Sequence, residues 1–257
     1  MKIISIIPAR MGSSRFPGKP MKDILGIPMI GHVYKRVKMN KTLSEVYVAT
    51  CDKEIFEYVV SIGGKAVITS DSHERCTDRC AEAMLKVEEQ TGKKCDIMVV
   101  VQGDEPLTFP QMIDEAIEPM LKDKSLNITN LVADMNTEEE FNNPNEVKVV
   151  MDINNNALYF SREPIPSRKK TKMKIPMKKQ VCIIPFRRDF LLQYNEMKPT
   201  PLEEIESVDM MRILENGGKV KMCNTKYLTK AVDTKEDLDL VSDIMRNDKL
   251  YKDYKNH

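Results

Sequence analysis

The stretch Ile3–Pro20, reading IISIIPARMGSSRFPGKP, limits the possible folds more than any other part of this chain. Ile3 to Ile7 is a short apolar run rich in β-branched residues, the pattern of a parallel strand buried on both faces. The residues after it cannot extend that strand, because Pro8, Gly12, Ser13, Ser14, Pro17, Gly18 and Pro20 make them a loop. Arg10, Arg15 and Lys19 are set into that loop. A small-residue loop after the first strand of an α/β sheet, carrying cations, is a place for a polyphosphate; the same residues also suit a solvated basic loop. Neither G-x-x-x-x-G-K-[ST] nor G-x-G-x-x-G is present, since Gly12 and Gly18 lie six apart and Pro20 follows Lys19.

The rest of the first half continues in the same style. Met29, Ile30, Val33, Tyr34 and Val37 fall at helical spacing, and Val46–Ala49 reads as a second strand. A helix carrying Ile55, Phe56, Val59 and Val60 inward stops at Gly63-Gly64. Ala66–Ile68 is a short strand, Thr77–Glu89 a helix, and Ile97–Val101 the most apolar strand of the chain. This alternation predicts an α/β fold with a Rossmann-like, doubly wound, mainly parallel sheet, whose ligands gather beyond the carboxyl ends of the strands.

The second half is less regular and predicts a smaller subdomain. A helix starts at Pro110. Ile128–Val132, Val147–Met151, Ala157–Phe160, Lys178–Phe186 and Val220–Met222 read as strands, and Leu202–Leu214 as one helix closed by Asn216-Gly217-Gly218. Thr234 caps a final helix, with Asp237 three residues on. With no repeat and no linker composition, residues 1–257 are expected to be a single domain.

Lys+Arg and Asp+Glu number 40 and 39, so no charge excess points to nucleic acid. No apolar run approaches the ~20 residues of a membrane span, and no cleavable leader is expected. The six cysteines form no C-x-x-C pair and read as reduced thiols of a cytoplasmic protein. Ser167–Lys179 holds seven Lys/Arg, a pattern of a solvated loop or of a lid over an anion.

Two carboxylates stand where chemistry is expected. Gln102-Gly103-Asp104-Glu105-Pro106 comes directly after the most apolar strand, where Asp104 suits Mg²⁺ or an ordinary acidic turn, and Gly103 suits close approach of backbone to a ligand. Asp233 directly precedes the Thr234 cap.

The opening segment resembles the signature P-A-R-x-x-S-[ST]-R-[LF]-P-G-K-P of the CTP-using sugar nucleotidyltransferases, and among these the 3-deoxy-manno-octulosonate (Kdo) cytidylyltransferases. Val99–Pro106 matches V-x-V-Q-G-D-E-P, and Val232-Asp233-Thr234 with Glu236-Asp237-Leu238 matches V-D-T-x-E-D-L. His73, Thr77, Asp78 and Arg79 match H-x-S-G-T-D-R, with Arg75 and Cys76 in place of Ser and Gly; Thr50-Cys51-Asp52 matches A-T-D-D with one replacement. Asn143–Val150 and Ala157–Arg162 carry further matches. The resemblance implies cytidylyl transfer from CTP to a 2-keto sugar acid in a cytoplasmic homodimer, with no nucleic-acid or membrane partner. It implies that Arg10, Ser13, Arg15 and Lys19 hold the triphosphate, with Lys19, Arg10 and Asp104 catalytic. Thr77 and Arg79 then lie beside the nucleobase and sugar, Gln102 faces the sugar acid, and Mg²⁺ sits on Asp104 and Asp233.

The same resemblance marks departures. Gln180, Ile184, Phe186, Asp209 and Met210 stand where the family has His, Tyr, Tyr, Glu and Gln for the sugar acid. A changed acceptor preference is therefore expected, since lost hydroxyl partners discriminate strongly. A different acceptor, a different nucleotide, or an idle nucleotide-binding homologue are the alternatives to Kdo cytidylylation.

Overall fold

The computed structural model describes residues 1–12, 16–170, 173 and 175–255. The chain packs as two compact units, Met1–Asp114 with Leu228–His257, and Glu115–Tyr227. The first crossing between them, at Asp114/Glu115, falls inside the helix Pro110–Lys122, where no linker composition can mark it.

In the first unit β1 (Ile3–Pro8) is succeeded by the two-residue strands β2 (Asp23–Ile24) and β3 (Ile27–Pro28) and by α1 (Met29–Lys38). Then come β4 (Glu45–Thr50), α2 (Lys53–Ser61), β5 (Ala66–Ile68), α3 (Cys76–Thr91), β6 (Ile97–Val101) and α4 (Pro110–Lys122). β1 pairs in parallel with β4 on one side and β6 on the other, and β4 pairs in parallel with β5. Every residue of β1 and β6 is buried, which is why both read as continuous apolar runs rather than alternating ones. The chain winds outward from β1 through β4 to β5, then crosses back to lay β6 on the other flank of β1. That reversal makes the carboxyl ends of β1 and β6 the switch point of the sheet. The loop carrying Arg10 and Lys19 and the turn carrying Asp104 are the two segments that leave it.

In the second unit the order is β7 (Thr129–Asp134), α5 (Glu138–Asn142), β8 (Lys148–Met151), β9 (Ala157–Ser161), β10 (Lys178–Val181) and β11 (Ile183–Arg187). Next are α6 (Arg188–Glu196), α7 (Pro201–Glu206), α8 (Met210–Glu215) and β12 (Lys221–Asn224). Its sheet runs β12-β7-β10-β8-β9 and is antiparallel except where β12 meets β7. The mainly parallel sheet expected from sequence is thus a property of the first unit.

Three local expectations are corrected. Lys178–Phe186 is two strands: between the pairs Val181↔Leu131 and Phe186↔Ile128 one side advances five residues against three, and the excess bends out at Cys182. Leu202–Leu214 is two helices, broken at Ser207 with φ 52°. Arg162 holds the break, its guanidinium donating to the carbonyls of Glu206 and Ser207, the exposed end of α7. In α2, Ile55 and Val59 are buried but Val60 is exposed and Phe56 only partly covered.

The chain then returns to the first unit with α9 (Lys235–Arg246) and α10 (Lys249–Tyr254). Val232, Val241 and Met245 pack with Ile24, Met29 and Leu107 in one buried cluster, which seats the segment before α9 beside the turn after β6. α10 closes over α1: Arg36, wholly buried, pairs with Asp248, and its Nε donates to the Tyr254 hydroxyl at 3.0 Å. His32, also wholly buried, meets that hydroxyl and the Ile24 carbonyl.

Candidate active site

The site is built from the two segments at the switch point and the residue that α9 delivers to them. The loop after β1 is anchored at its start from two sides: Ala9 N–H donates to the Ala49 carbonyl at 2.9 Å, and Met11 N–H to the Asp52 carboxylate at 2.8 Å. It closes where Gly18 N–H reaches the Met11 carbonyl at 3.1 Å. Gly18 sits at φ 69°, the left-handed region a side chain resists, and there the chain turns into a single 3₁₀ turn, Lys19–Met21. Ser13 and Arg15 lie outside the described residues; Arg10 is exposed at the start of the loop.

Lys19 is the joint. Its Nζ lies 2.7 Å from Asp104 Oδ2 and 3.2 Å from Asp233 Oδ1, so residues 85 and 214 positions apart meet at one atom. The three side chains retain only 13%, 21% and 14% of their exposure, so solvent screens the charges weakly. Burial alone would lower the pKa of the Lys19 ammonium; Asp104 and Asp233 outweigh it and hold it raised.

Backbone contacts fix the two carboxylates. Val232 N–H donates to the Asp104 carbonyl at 2.9 Å, tying the turn after β6 to the segment before α9. A capping box then locks that segment: Asp237 accepts from Asp233 N–H and Thr234 N–H, while Thr234 Oγ1 accepts from Asp237 N–H. Asp104 Oδ1 is buried and has no hydrogen-bond partner among the described residues, an acceptor left for something else. Two converging carboxylates with an unmet buried oxygen are a donor set of the kind Mg²⁺ takes.

Gly103 has a packing role beside β1. A Cβ there would stand 2.8 Å from the Pro8 carbonyl oxygen and 3.3 Å from Ile30 Cδ1. The glycine admits the end of β1 against the turn. Gln102 is half-buried, its Nε2 donating to Cys76 Sγ at 3.8 Å.

Thr77 and Arg79 are both buried in the first turn of α3. The Arg79 guanidinium donates to Thr69 Oγ1 at 2.6 Å and to the carbonyls of Ser70 and His73. It organises the loop 69–75 from behind. Glu82 in α3 meets Lys86 of the same helix and His73 of that loop; against the opposing effect of partial burial, Lys86, the Ser70 N–H and His73 hold its carboxyl down at about 2. The parts of Asp52 and Glu82 were missed by sequence reasoning; their signal was only an acidic residue just past a strand or within a helix.

The departures expected to reshape the acceptor pocket lie in the second unit. Ile184, Phe186 and Met210 are buried in its core, with Phe186 packed on Tyr194 at 6.0 Å between ring centres. Asp209 precedes α8 and its carbonyl accepts from the Tyr194 hydroxyl. Gln180 alone among the five is a half-buried polar side chain in a strand, its Nε2 donating to Asn130 Oδ1 at 2.6 Å. The exchange of hydroxyl for apolar groups is therefore absorbed by packing. In the basic segment, Lys178 pairs with Asp134, Lys179 with Glu140 and Glu146, and Arg168 with Glu138. Those cations serve the second unit itself.

A family model described as cytidylyltransferase matches residues 4–226. A 3-deoxy-manno-octulosonate cytidylyltransferase of Geobacter metallireducens is 43% identical over 251 residues, covering 94% of this chain and 96% of that protein. One of Fusobacterium nucleatum is 42% identical over 250 residues, covering 97% and 99%. Among solved structures, a CMP:2-keto-3-deoxy-manno-octonic acid synthetase complexed with CTP superposes with TM-score 0.87 at 38% identity, covering 96% of this chain and 99% of the other. A glucose-1-phosphate thymidylyltransferase-like protein of Bacillus anthracis, at 16% identity and TM-score 0.65, shares the fold.

Proposed function

The chain belongs to the 3-deoxy-manno-octulosonate cytidylyltransferase family, and from that premise we propose how its residues transfer CMP from CTP to Kdo with release of pyrophosphate. The acceptor oxygen attacks the α-phosphorus in line, so the protein's task is positioning and charge neutralisation rather than covalent chemistry. Arg10 and Lys19, with Ser13 and Arg15, hold the triphosphate. Asp52 fixes the entry to that loop through Met11 N–H, and Arg79 with Thr77 holds the loop that borders the base. Gln102 faces the sugar acid, its amide oriented by Cys76. Asp104 and Asp233 hold Mg²⁺, which when bound supplies a Lewis acid and a template at the reacting phosphate.

The observation that carries this reading is the meeting of Lys19, Asp104 and Asp233 at the sheet's switch point. The test is pyrophosphate release from each of the four nucleoside triphosphates with Kdo and with related acids. CTP with Kdo gives the highest kcat/KM; a preference for another nucleotide, or turnover indifferent to the acid, refutes it. A cytoplasmic homodimer completes the proposal on family grounds, and sedimentation of the purified chain tests the dimer. No helix among the described residues is long and apolar enough to cross a membrane.

A further inference from the structure

The ammonium of Lys19 and a divalent cation need the same oxygens. Lys19 Nζ contacts Asp104 Oδ2 and Asp233 Oδ1 at once, and the three side chains are mostly withdrawn from water. Two carboxylates so close repel each other strongly at low screening, and one ammonium between them removes much of that cost. A divalent ion entering beside Lys19 would meet that ammonium at short range, which opposes its binding. With the ammonium drawn away, the same carboxylates would attract the ion more strongly.

We propose that Lys19 competes with the divalent cation for Asp104 and Asp233, and that the polyphosphate of the nucleotide relieves the competition by drawing the Lys19 ammonium onto itself. The proposal rests on Asp104 and Asp233 being the metal's ligands. The side chain alone needs to move. Gly18 and Pro20 fix the backbone turn around Lys19, while a lysine's four-carbon stem lets its ammonium re-aim among acceptors. The bridge is also incomplete: Asp104 Oδ1 is buried and unpartnered among the described residues, so a divalent ion satisfies an oxygen that Lys19 leaves unmet. Metal and nucleotide then strengthen each other's binding by the same factor, and the protein gathers little metal without nucleotide.

The experiment monitors protein-bound Mn²⁺ by water-proton relaxation enhancement, which separates it from Mn²⁺ on free nucleotide. Without nucleotide, Lys19→Met, which keeps the stem and removes the charge, binds Mn²⁺ at least about tenfold tighter than wild type, the size of an ordinary coupling between sites. Lys19→Ala does the same, Lys19→Arg stays weak, and adding Asp104→Asn to Lys19→Met removes the gain. Wild type takes up Mn²⁺ tightly only with CTP. Equal Mn²⁺ affinity in Lys19→Met and wild type overturns the proposal, as does wild-type uptake equally tight with and without CTP. If Asp104→Asn and Asp233→Asn leave the CTP-dependent uptake of wild type unchanged, the metal assignment itself is wrong and the competition falls with it.

Discussion

Replacing Gly103 by alanine tests how the two segments of the active site are held together. The added Cβ would stand 2.8 Å from the Pro8 carbonyl oxygen, closer than real Cβ contacts allow, with Ile30 Cδ1 at 3.3 Å on another side. The end of β1 cannot yield easily, because Ala9 N–H is bonded to Ala49 and all of β1 is buried between β4 and β6. The turn after β6 must move instead, by some tenths of an ångström. Overpacking of this kind costs about 1–3 kcal/mol, and the lower chain entropy of unfolded alanine returns about 0.4–1 kcal/mol. The expected net loss is about 1–2 kcal/mol, or about 2–4 °C in Tm for each kcal/mol in a chain of this size. Asp104 is the next residue, so the same shift disturbs its distance to Lys19. Because a misplacement near 1 Å costs about 100-fold, a fraction of that predicts a loss of roughly three- to tenfold in kcat. Urea denaturation and steady-state kinetics with CTP and Kdo measure the two effects. A Gly103→Ala protein with unchanged stability and a raised KM alone would refute the packing argument and return Gly103 to a ligand-contact role.

Asp233→Asn is expected to lower kcat/KM about 100-fold or more, since a bound metal contributes several kcal/mol, and to raise the Mg²⁺ needed for half-maximal rate in a Mg²⁺ titration. His32 has its pKa lowered from 6.5 to about 4, chiefly by burial and secondarily by the Arg36 charge, against the raising effect of the Ile24 carbonyl. Between those pH values the unfolded chain takes up a proton that the folded chain refuses. Stability therefore falls as pH drops from 6.5 to 4, by at most about 3 kcal/mol, and urea midpoints across that range should lose much of this slope in His32→Gln. Arg212 meets buried Glu203 through two 2.7 Å hydrogen bonds, so Arg212→Met should cost about 3–5 kcal/mol in urea unfolding, and Arg212→Met with Glu203→Leu distinctly less.

Much of the first unit could be read from local pattern. β1 and β6 announce themselves as apolar runs because both faces of each are buried, and the loop after β1 is marked by glycines and prolines that no strand tolerates. The Thr234 cap was legible because the capping box closes within four residues. Spacing fails where one pattern continues through a break: the apolar residues from Lys178 to Phe186 conceal the bend at Cys182, and those from Leu202 to Leu214 conceal the reversal at Ser207, whose support comes from Arg162. It fails again at α1, where an apolar stripe indicates one buried face but His32 and Arg36 are buried on the other by α10. Local sequence determined which residues could line a phosphate site, because strand and loop preferences act between near neighbours. Only the tertiary structure decided that Lys19 meets Asp104 and Asp233, and that Gly103 is small for the sake of Pro8. Those contacts join segments that neither periodicity nor composition relates, and they form only when β6 returns beside β1 and α9 packs its apolar face against both loops.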